Sequence, residues 1–157
     1  MNATTTNIIY MSKKGIKELK KQIGHLERDH MYAMNELREL DKTDKHEERL
    51  ARIEKLASIE VIDSEISDKR GYLMNAKQLP RKRDALKVAI GSVVDLIDQQ
   101  GRLFRYTLVD SIEANPSDGR ISIMSPLGQS LIGKTVQQTI EWSARFQMNQ
   151  LQLVRIA

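Results

Sequence analysis

The sequence predicts an α+β protein in which a long antiparallel α-helical coiled-coil hairpin precedes a small α+β domain. In the first half, apolar residues recur at steps of three and four, the spacing of coiled-coil helices. In the second half, apolar and polar residues alternate over short segments, which is typical of strands. Pro80 and the basic residues 81–83 interrupt the helical pattern between the halves. We therefore expect a flexible N-terminus (1–11), a hairpin (12–78), a linker (79–88) and a C-terminal domain (89–157).

The first predicted helix carries an unbroken heptad seam. Ser12, a favourable N-cap residue, stands directly ahead of it. His30 is the one polar residue of the seam, and a polar residue there more often sets the register of two helices than binds a ligand. His25 and His46 share no metal-ligand spacing with His30, so the sequence predicts no zinc site. The seam positions are Ile16, Leu19, Ile23, Leu26, His30, Ala33, Leu37 and Leu40.

A polar segment, residues 41–48, separates the two helices and forms the acidic tip of the predicted hairpin. The heptad step breaks between Ala57 and Ile59, which predicts a stutter and local unwinding of the second helix. A first helix of about 30 residues would be roughly 45 Å long and would carry the tip far from any other core, as in a spacer or a probe. The predicted seam of the second helix consists of Leu50, Ile53, Ala57, Ile59, Ile62, Ile66 and Leu73.

The C-terminal half contains the signals of a small sheet domain. Asn115–Gly119 is a predicted turn, because Pro116 fixes φ and Gly119 supplies a positive φ. Residues 129–132 are predicted to form a short helical turn that Gly133 ends. The predicted strands are 93–97, 103–109, 120–124, 140–148 and 151–156.

Composition excludes several classes of protein. The 157 residues include no cysteine, which rules out disulfides and thiolate metal sites. No apolar run approaches the roughly 18 residues of a membrane span, and residues 1–10 lack the features of a signal peptide, so we expect a cytoplasmic protein without membrane contact. The net charge of +4 is compatible with a nucleic-acid partner, with an acidic groove as partner, or with a solvated helix surface alone.

Five segments, in this order, resemble the Gre family of bacterial transcript-cleavage factors, and together they cover nearly the whole chain. They are the Ser-x-x-Gly opening at 12–15, Asp44-Lys45-His46-Glu47, Gly91-Ser92-Val93-Val94, the turn and strand around 119–122, and Ser125-Pro126-Leu127-Gly128 continuing to Leu131-Ile132-Gly133-Lys134. The resemblance implies an N-terminal coiled coil and a C-terminal domain with a fold like that of FK506-binding proteins. It also implies a monomeric accessory factor, not itself an enzyme, that stimulates the nuclease activity of RNA polymerase.

The resemblance also implies how the two domains would act on the polymerase and which tip residues would take part. The C-terminal domain would dock at the rim of the polymerase secondary channel while the hairpin enters it. Asp44 and Glu47 would act as catalytic carboxylates that help hold the second Mg²⁺ of the polymerase active site and activate a water, with Asp41 and Glu48 as further candidates. Mg²⁺ is a hard cation that takes oxygen ligands and keeps several waters. Two carboxylates bind it poorly, so we expect no cofactor on the protein alone.

A structural alternative exists for the same tip residues. Asp44 and Glu47 have the spacing of a capping box at the start of the second helix, which would contribute about 1 kcal/mol without any polymerase. The tip also departs from the family pattern, because Thr43 precedes Asp44 and Glu48-Arg49-Leu50 follow Glu47. A channel-binding inhibitor or modulator without cleavage activity is therefore the second hypothesis.

The resemblance further implies an RNA contact and a docking segment. Arg49 and Arg52 would attract the phosphates at the 3′ end of the nascent RNA, although a solvated basic face is the alternative. The predicted polymerase-docking residues could instead serve only as a strand-to-helix connection. Two other functions fit less well: too few aromatic residues are present for a peptidyl-prolyl isomerase pocket, and a coiled-coil adaptor leaves the C-terminal motif unexplained. The docking candidates are Ser125, Pro126, Leu127, Gly128, Gly133 and Lys134.

Overall fold

The computed structural model describes residues 7–42, 48–80 and 85–157 and confirms the predicted α+β class. The chain divides into two compact units. One contains Lys14–Ala76, the helical hairpin. The other contains Ile8–Lys13 and Lys77–Ala157, the sheet domain.

The hairpin consists of α1 (Lys13–Asp41) and α2 (Glu48–Asn75). α1 begins directly after Ser12, as the predicted N-cap position requires. All eight predicted seam positions of α1 are buried or half-buried, with Leu19, Ile23 and Ala33 the most enclosed. The heptad prediction for the first helix is confirmed.

The seam of α2 differs from the prediction in its half nearest the tip. Leu50, Ile53 and Ala57, which the sequence predicts at the interface, are exposed to solvent on the outer side of the helix. The buried and half-buried positions instead keep the heptad steps without interruption, so the second helix has no stutter. The observed seam runs through Glu48, Arg52, Lys55, Ile59, Ile62, Ile66, Lys69 and Leu73.

Cross-helix polar contacts explain why charged side chains occupy that seam. Nζ of Lys55 donates to a carboxylate oxygen of Glu36 at 2.5 Å. His30 Nε2 lies 3.0 Å from Asp63 Oδ1 across the interface. Within the described residues, His30 therefore contacts the other helix of the hairpin, as expected for a polar seam residue that sets the register of two helices. The paired residue numbers run in opposite directions along the two helices, as an antiparallel hairpin requires.

Part of the N-terminal segment, residues 9–11, forms a strand that the sequence does not predict. Ile9–Met11 form strand β1, which pairs with β2 (Ala76–Gln78) in a two-stranded sheet. The sequence predicts residues 9–11 in a flexible lead-in and residues 76–78 in the hairpin, and both predictions are wrong. Met11 is buried, and its carbonyl oxygen accepts a hydrogen bond from the Leu79 amide at 3.0 Å. Three-residue strands carry too little alternation to be recognised from sequence.

A hydrogen-bonded carboxylate ties this segment to the sheet domain. The buried Glu113 side chain accepts the Ser12 amide at 2.9 Å and the Ser12 hydroxyl at 2.5 Å. Both groups belong to the second unit. Because a buried carboxylate is costly without partners, these two donors are what make the position of Glu113 tolerable.

The main sheet has five strands, which are β3 (Val93–Ile97), β4 (Leu103–Val109), β5 (Arg120–Ser122), β6 (Thr139–Ala144) and β7 (Gln147–Ile156). Their order in the sheet is β5-β4-β3-β7-β6. Neighbouring strands are antiparallel except β4 and β5, which are parallel. The prediction of 93–97 and 103–109 is confirmed to the residue, whereas β5 is shorter than the predicted 120–124.

The predicted strand 140–148 is wrong, because a hairpin turn divides it. Arg145 and Phe146 both adopt positive φ, at 51° and 65°, and connect β6 to β7. Two positive φ values in succession are typical of the tight turns that join antiparallel strands, but the residues usually found there are Gly and Asn. The alternation of apolar and polar residues continues through the turn, so the pattern carries no signal of it.

One short helix, α3 (Pro126–Leu131), packs on the sheet, and its Leu131 is fully buried. Short 3₁₀ turns at 111–113 and 116–118 precede β5, and Gly119 has the predicted positive φ of 79°. Val88 belongs to the core, so the predicted linker 79–88 extends too far, while residues 81–84 lie outside the described part. The core also contains Val94, Leu96, Leu108, Ile121, Ile140, Leu151, Leu153 and Ile156.

Candidate functional site

The helix ends that flank the predicted acidic tip are Asp41 and Glu48. Asp44 and Glu47, the predicted catalytic and Mg²⁺-binding carboxylates, lie outside the described residues. Within 7–42, 48–80 and 85–157, no three His, Cys, Asp or Glu side chains come together as metal ligands. The roles of Asp44 and Glu47 therefore stay predictions.

Asp41, a further carboxylate candidate, forms a cross-helix ion pair. Its Oδ1 lies 2.8 Å from Nε of Arg52, one of the two arginines expected to contact RNA. The neighbouring Lys55–Glu36 contact lies one helical turn behind it. Glu48, the other carboxylate candidate, occupies a half-buried seam position. The structure thus brings two of the predicted site residues together as partners of each other, behind the tip.

The basic surface of the hairpin includes more side chains than the two arginines that the sequence predicts to contact RNA. Arg49 is exposed and has no ion-pair partner in the described part of the chain. Near the start of α1, five lysines are also exposed and without such partners among the described residues. At about 100° per residue they fall within an arc of roughly 120° on one face of the helix. They are Lys13, Lys14, Lys17, Lys20 and Lys21.

The predicted docking segment begins with a well-defined helix start. The Ser125 hydroxyl accepts the Gly128 amide at 3.0 Å and donates to the Ser122 carbonyl oxygen at 2.6 Å. Pro126 follows as the first helical residue, where its missing N–H costs nothing. Serine and proline in this order therefore specify the first turn of α3.

The remaining docking candidates also take part in the fold. Leu127 packs against the core, and Gly128 is buried where a Cβ would overlap the Ser122 carbonyl oxygen. Gly133 has φ 79°, and its amide donates to the Val88 carbonyl oxygen at 2.8 Å. The Lys134 carbonyl oxygen accepts the Val88 amide at 2.9 Å. The strand-to-helix alternative thus accounts for these backbone features, and a docking role falls to the exposed atoms of the segment.

An open apolar depression of about 650 Å³ adjoins α3. It is lined in part by Ile90, Ile123, Ile132 and Gly133, and Ile132 is exposed. Nothing in the sequence pattern indicates it, because Ile90 comes next to α3 only through the folding of a distant segment.

A second surface missed by the sequence reasoning is a concavity of about 710 Å³ on the sheet. Phe104 and Tyr106 stack with ring centroids 6.4 Å apart, and Trp142 lines the same cavity. The chain has only two Phe, four Tyr and one Trp. A low aromatic count therefore does not exclude an aromatic-lined surface, since distant strands place three of these rings together.

The described part of the chain contains no helix long and apolar enough to cross a membrane.

Comparison with known proteins gives the family. Residues 83–157 match the family model described as transcription elongation factor, GreA/GreB, C-terminal. The transcription elongation factor GreA of Nautilia profundicola is 35% identical over 138 residues, which cover 83% of each chain. The chain belongs to the GreA/GreB family. The GreA protein of Zymomonas mobilis is 39% identical over 83 residues, which cover 52% of each chain.

The GreA/GreB relationship extends through the hairpin, since the Nautilia alignment is much longer than the C-terminal match. A crystal structure of GreA factor homolog 1 (Gfh1) of Thermus thermophilus aligns with 96% of this chain and 99% of that chain, at 22% identity and a TM-score of 0.46. The resemblance that the sequence motifs indicated is confirmed at the level of the family, and the protein is a transcription elongation factor.

Proposed function

We propose that this protein binds RNA polymerase, inserts its hairpin into the secondary channel and stimulates cleavage of the 3′ RNA in backtracked complexes. The observation that carries the proposal is the GreA/GreB relationship over both the hairpin and the sheet domain. The hairpin supports it, because the 29 residues of α1 correspond to a rod of about 43 Å, long enough to reach into a deep channel.

In this proposal the chemistry belongs to the polymerase, and the factor supplies two carboxylates. Asp44 and Glu47 would complete the coordination of a weakly held Mg²⁺, which stabilises the attacking and leaving oxygens of the phosphodiester. Glu47 or Asp44 would also orient the attacking water.

The contacts behind the tip suggest different roles for the two arginines. Arg52 forms an ion pair with Asp41 across the hairpin, which makes Arg52 less available to RNA and Asp41 less available to a metal ion. Arg49 is exposed and is the better RNA contact. We assign Arg49 to the RNA phosphates, and the Asp41–Arg52 pair to holding the helix ends together.

For the sheet domain we propose docking on the polymerase through the exposed side of the 125–134 segment. Ile132 presents apolar surface there, next to the depression beside α3. Ser125, Gly128 and Leu131 would act indirectly, by holding α3 in place.

A cleavage assay tests the proposal. Polymerase halted in a backtracked state is mixed with the protein and Mg²⁺, and the shortened RNA is measured. We expect cleavage with the unmodified protein, loss of cleavage with Asp44→Ala and a reduction with Glu47→Ala, while polymerase binding persists. Asp68→Ala, an exposed acidic position of α2 remote from the tip, is the matched control and should cleave normally.

The outcomes of this assay separate the two functions. Binding without cleavage by the unmodified protein would identify a channel-binding modulator, for which the altered residues 43 and 48–50 are the motivation. Absence of binding would refute both.

A further inference from the structure

The tip half of α2 exposes an apolar stripe. Leu50, Ile53 and Val61 are 65%, 63% and 59% exposed, and Ala57 between them is also exposed. Steps of three, four and four residues place these side chains within an arc of about 80° along some 16 Å of helix. We call these four residues the apolar stripe.

The stripe lies opposite the hairpin interface and contributes nothing to it. The seam of the same segment runs through Arg52, Lys55 and Ile59, on the far side of α2 from the stripe. The outer face of a solvated hairpin ordinarily carries polar side chains. Here charged residues occupy the interface while aliphatic residues face outward, an arrangement that the hairpin alone does not require. Aliphatic side chains aligned along one face of a helix are a common means by which a helix docks into an apolar groove of a partner.

The flanking charges indicate what kind of surface would cover the stripe. Glu54 and Glu60 flank it, and Arg49 lies at its tip end. All three are exposed. A partner surface that is apolar at its centre and basic at its rim would match the two glutamates.

The size of the stripe argues against a second copy as the occupant. Four aliphatic side chains offer on the order of 250 Å² of apolar surface. A stable protein–protein interface needs about 800 Å² on each partner. Antiparallel pairing of two stripes would also bring Glu54 of one copy against Glu54 of the other. The stripe is therefore suited to being one part of a larger interface.

We propose that the apolar stripe docks on an apolar, basic-rimmed surface of RNA polymerase beside the path of the hairpin tip. This inference rests on the proposed function, which puts residues 41–48 inside the polymerase. Leu50 lies two residues after the tip, on α2, so a surface that encloses the tip also faces the near end of the stripe. Contact along one face of α2 fixes the rotation of the hairpin about its long axis, and with it the direction in which the tip carboxylates point.

The test compares two full-length triple variants. The stripe variant combines Leu50→Gln, Ile53→Gln and Val61→Gln. The control variant combines Met31→Gln, Tyr32→Gln and Met74→Gln, which are comparably exposed apolar positions elsewhere on the hairpin. Polymerase affinity is measured by competition, and folding by the melting temperature. We expect the stripe variant to bind polymerase at least tenfold more weakly with an unchanged melting temperature, and the control variant to bind as the unmodified protein does.

A photo-crosslinking amino acid at position 53 provides a readout of direct contact. We expect it to crosslink to polymerase in the complex, whereas the same group at position 74 does not. Equal affinity of both triple variants, or no crosslink from position 53, would overturn the stripe proposal and leave the proposed function standing. Failure of the unmodified protein to bind polymerase would overturn both. Concentration-dependent self-association that only the stripe variant loses would overturn the polymerase assignment in favour of a second copy.

Discussion

Replacing Gly128 by alanine should destabilise the sheet domain even though alanine is the better helix former. Gly128 lies inside α3, where helix propensity alone would favour alanine by about 1 kcal/mol. A Cβ at this position, however, would overlap the Ser122 carbonyl oxygen and lie 3.0 Å from the Ile123 Cα. Both neighbours are backbone atoms, so no side-chain rotation relieves the contact.

The size of the expected loss of stability follows from the displacement of α3 that the added Cβ would require. Displacing α3 would withdraw Leu131, which is fully buried, from the core and stretch the Ser125 hydrogen bonds. Overpacking of this kind costs about 1–3 kcal/mol, and more where backbone must shift, so we expect a net loss of about 3 kcal/mol. For a unit of this size that corresponds to a fall in Tm of roughly 15 °C.

The chain offers a separate probe for each unit. Trp142, the single tryptophan, lies in the sheet domain, so its fluorescence follows the unfolding of that unit. Far-ultraviolet circular dichroism is dominated by the two long helices of the hairpin. Gly128→Ala should lower the fluorescence transition and leave most of the helical signal in place. Gly71→Ala is the matched control, because Gly71 is also helical but a Cβ added to it would meet no atom within 4 Å.

For Gly71→Ala we expect the opposite sign, a hairpin stabilised by about 0.5–1 kcal/mol with an unchanged Trp142 transition. An unchanged or higher Trp142 transition in Gly128→Ala would refute the steric argument. If such a variant also lost polymerase affinity, Gly128 would be a docking residue rather than a structural one.

Three further predictions concern polar groups that the structure places in pairs or in the seam. Hydrogen bonds from Arg105 lower the pKa of the Asp95 carboxyl below its ordinary value of 3.8. The stability that the ionised carboxylate adds is therefore present above that pH and is lost on further acidification. Arg105→Gln should make Tm, measured from about pH 2.5 to 7, depend less on pH in the acid range. His30→Leu should raise the circular-dichroism melting temperature of the hairpin, equivalent to about 1 kcal/mol, because it restores an apolar seam position. Glu113→Ala should cost the sheet domain about 2 kcal/mol in urea unfolding followed by tryptophan fluorescence, since the amide and hydroxyl of Ser12 lose their acceptor.

Each of these has a contradicting result. If Tm of the unmodified protein and of Arg105→Gln depended equally on pH in the acid range, Arg105 would not be the cause of the lowered Asp95 pKa. A lower melting temperature for the seam variant would mean that the contact with Asp63 outweighs apolar packing. An unchanged urea midpoint for the Glu113 variant would mean that water replaces the lost acceptor without cost.

The heptad of α1 was predictable because every seam position but one is apolar and the step never varies. The same reasoning failed in α2, where apolar side chains at 50, 53 and 57 offered a plausible seam on the wrong face. The facing acidic residues of α1, Glu36 and Asp41, provide ion-pair partners for Lys55 and Arg52 on the charged face of α2. Those partners lie across the hairpin, so no pattern within α2 alone identifies them.

The candidate site divides in the same way. The family motifs were recognised from sequence, because their residue types and order are local features, and the role of the tip carboxylates is a prediction from the same features. The pairing of Asp41 with Arg52, the role of Gly128 beneath Ser122, and the apolar stripe all depend on which segments meet. The ion pair of Arg52 could not be seen from the sequence of α2, because its partner Asp41 lies on the other helix.

By itself, then, the sequence determined the α+β class, the helical hairpin, strands β3 and β4, and membership of the GreA/GreB family, since periodicity and motif order are written along the chain. The tertiary structure decided which face of α2 is buried, where the β6–β7 turn falls, and which residues of the docking segment are needed for the fold. The physical reason is that burial and ion pairing are properties of two surfaces in contact, and one segment of chain specifies only one of them.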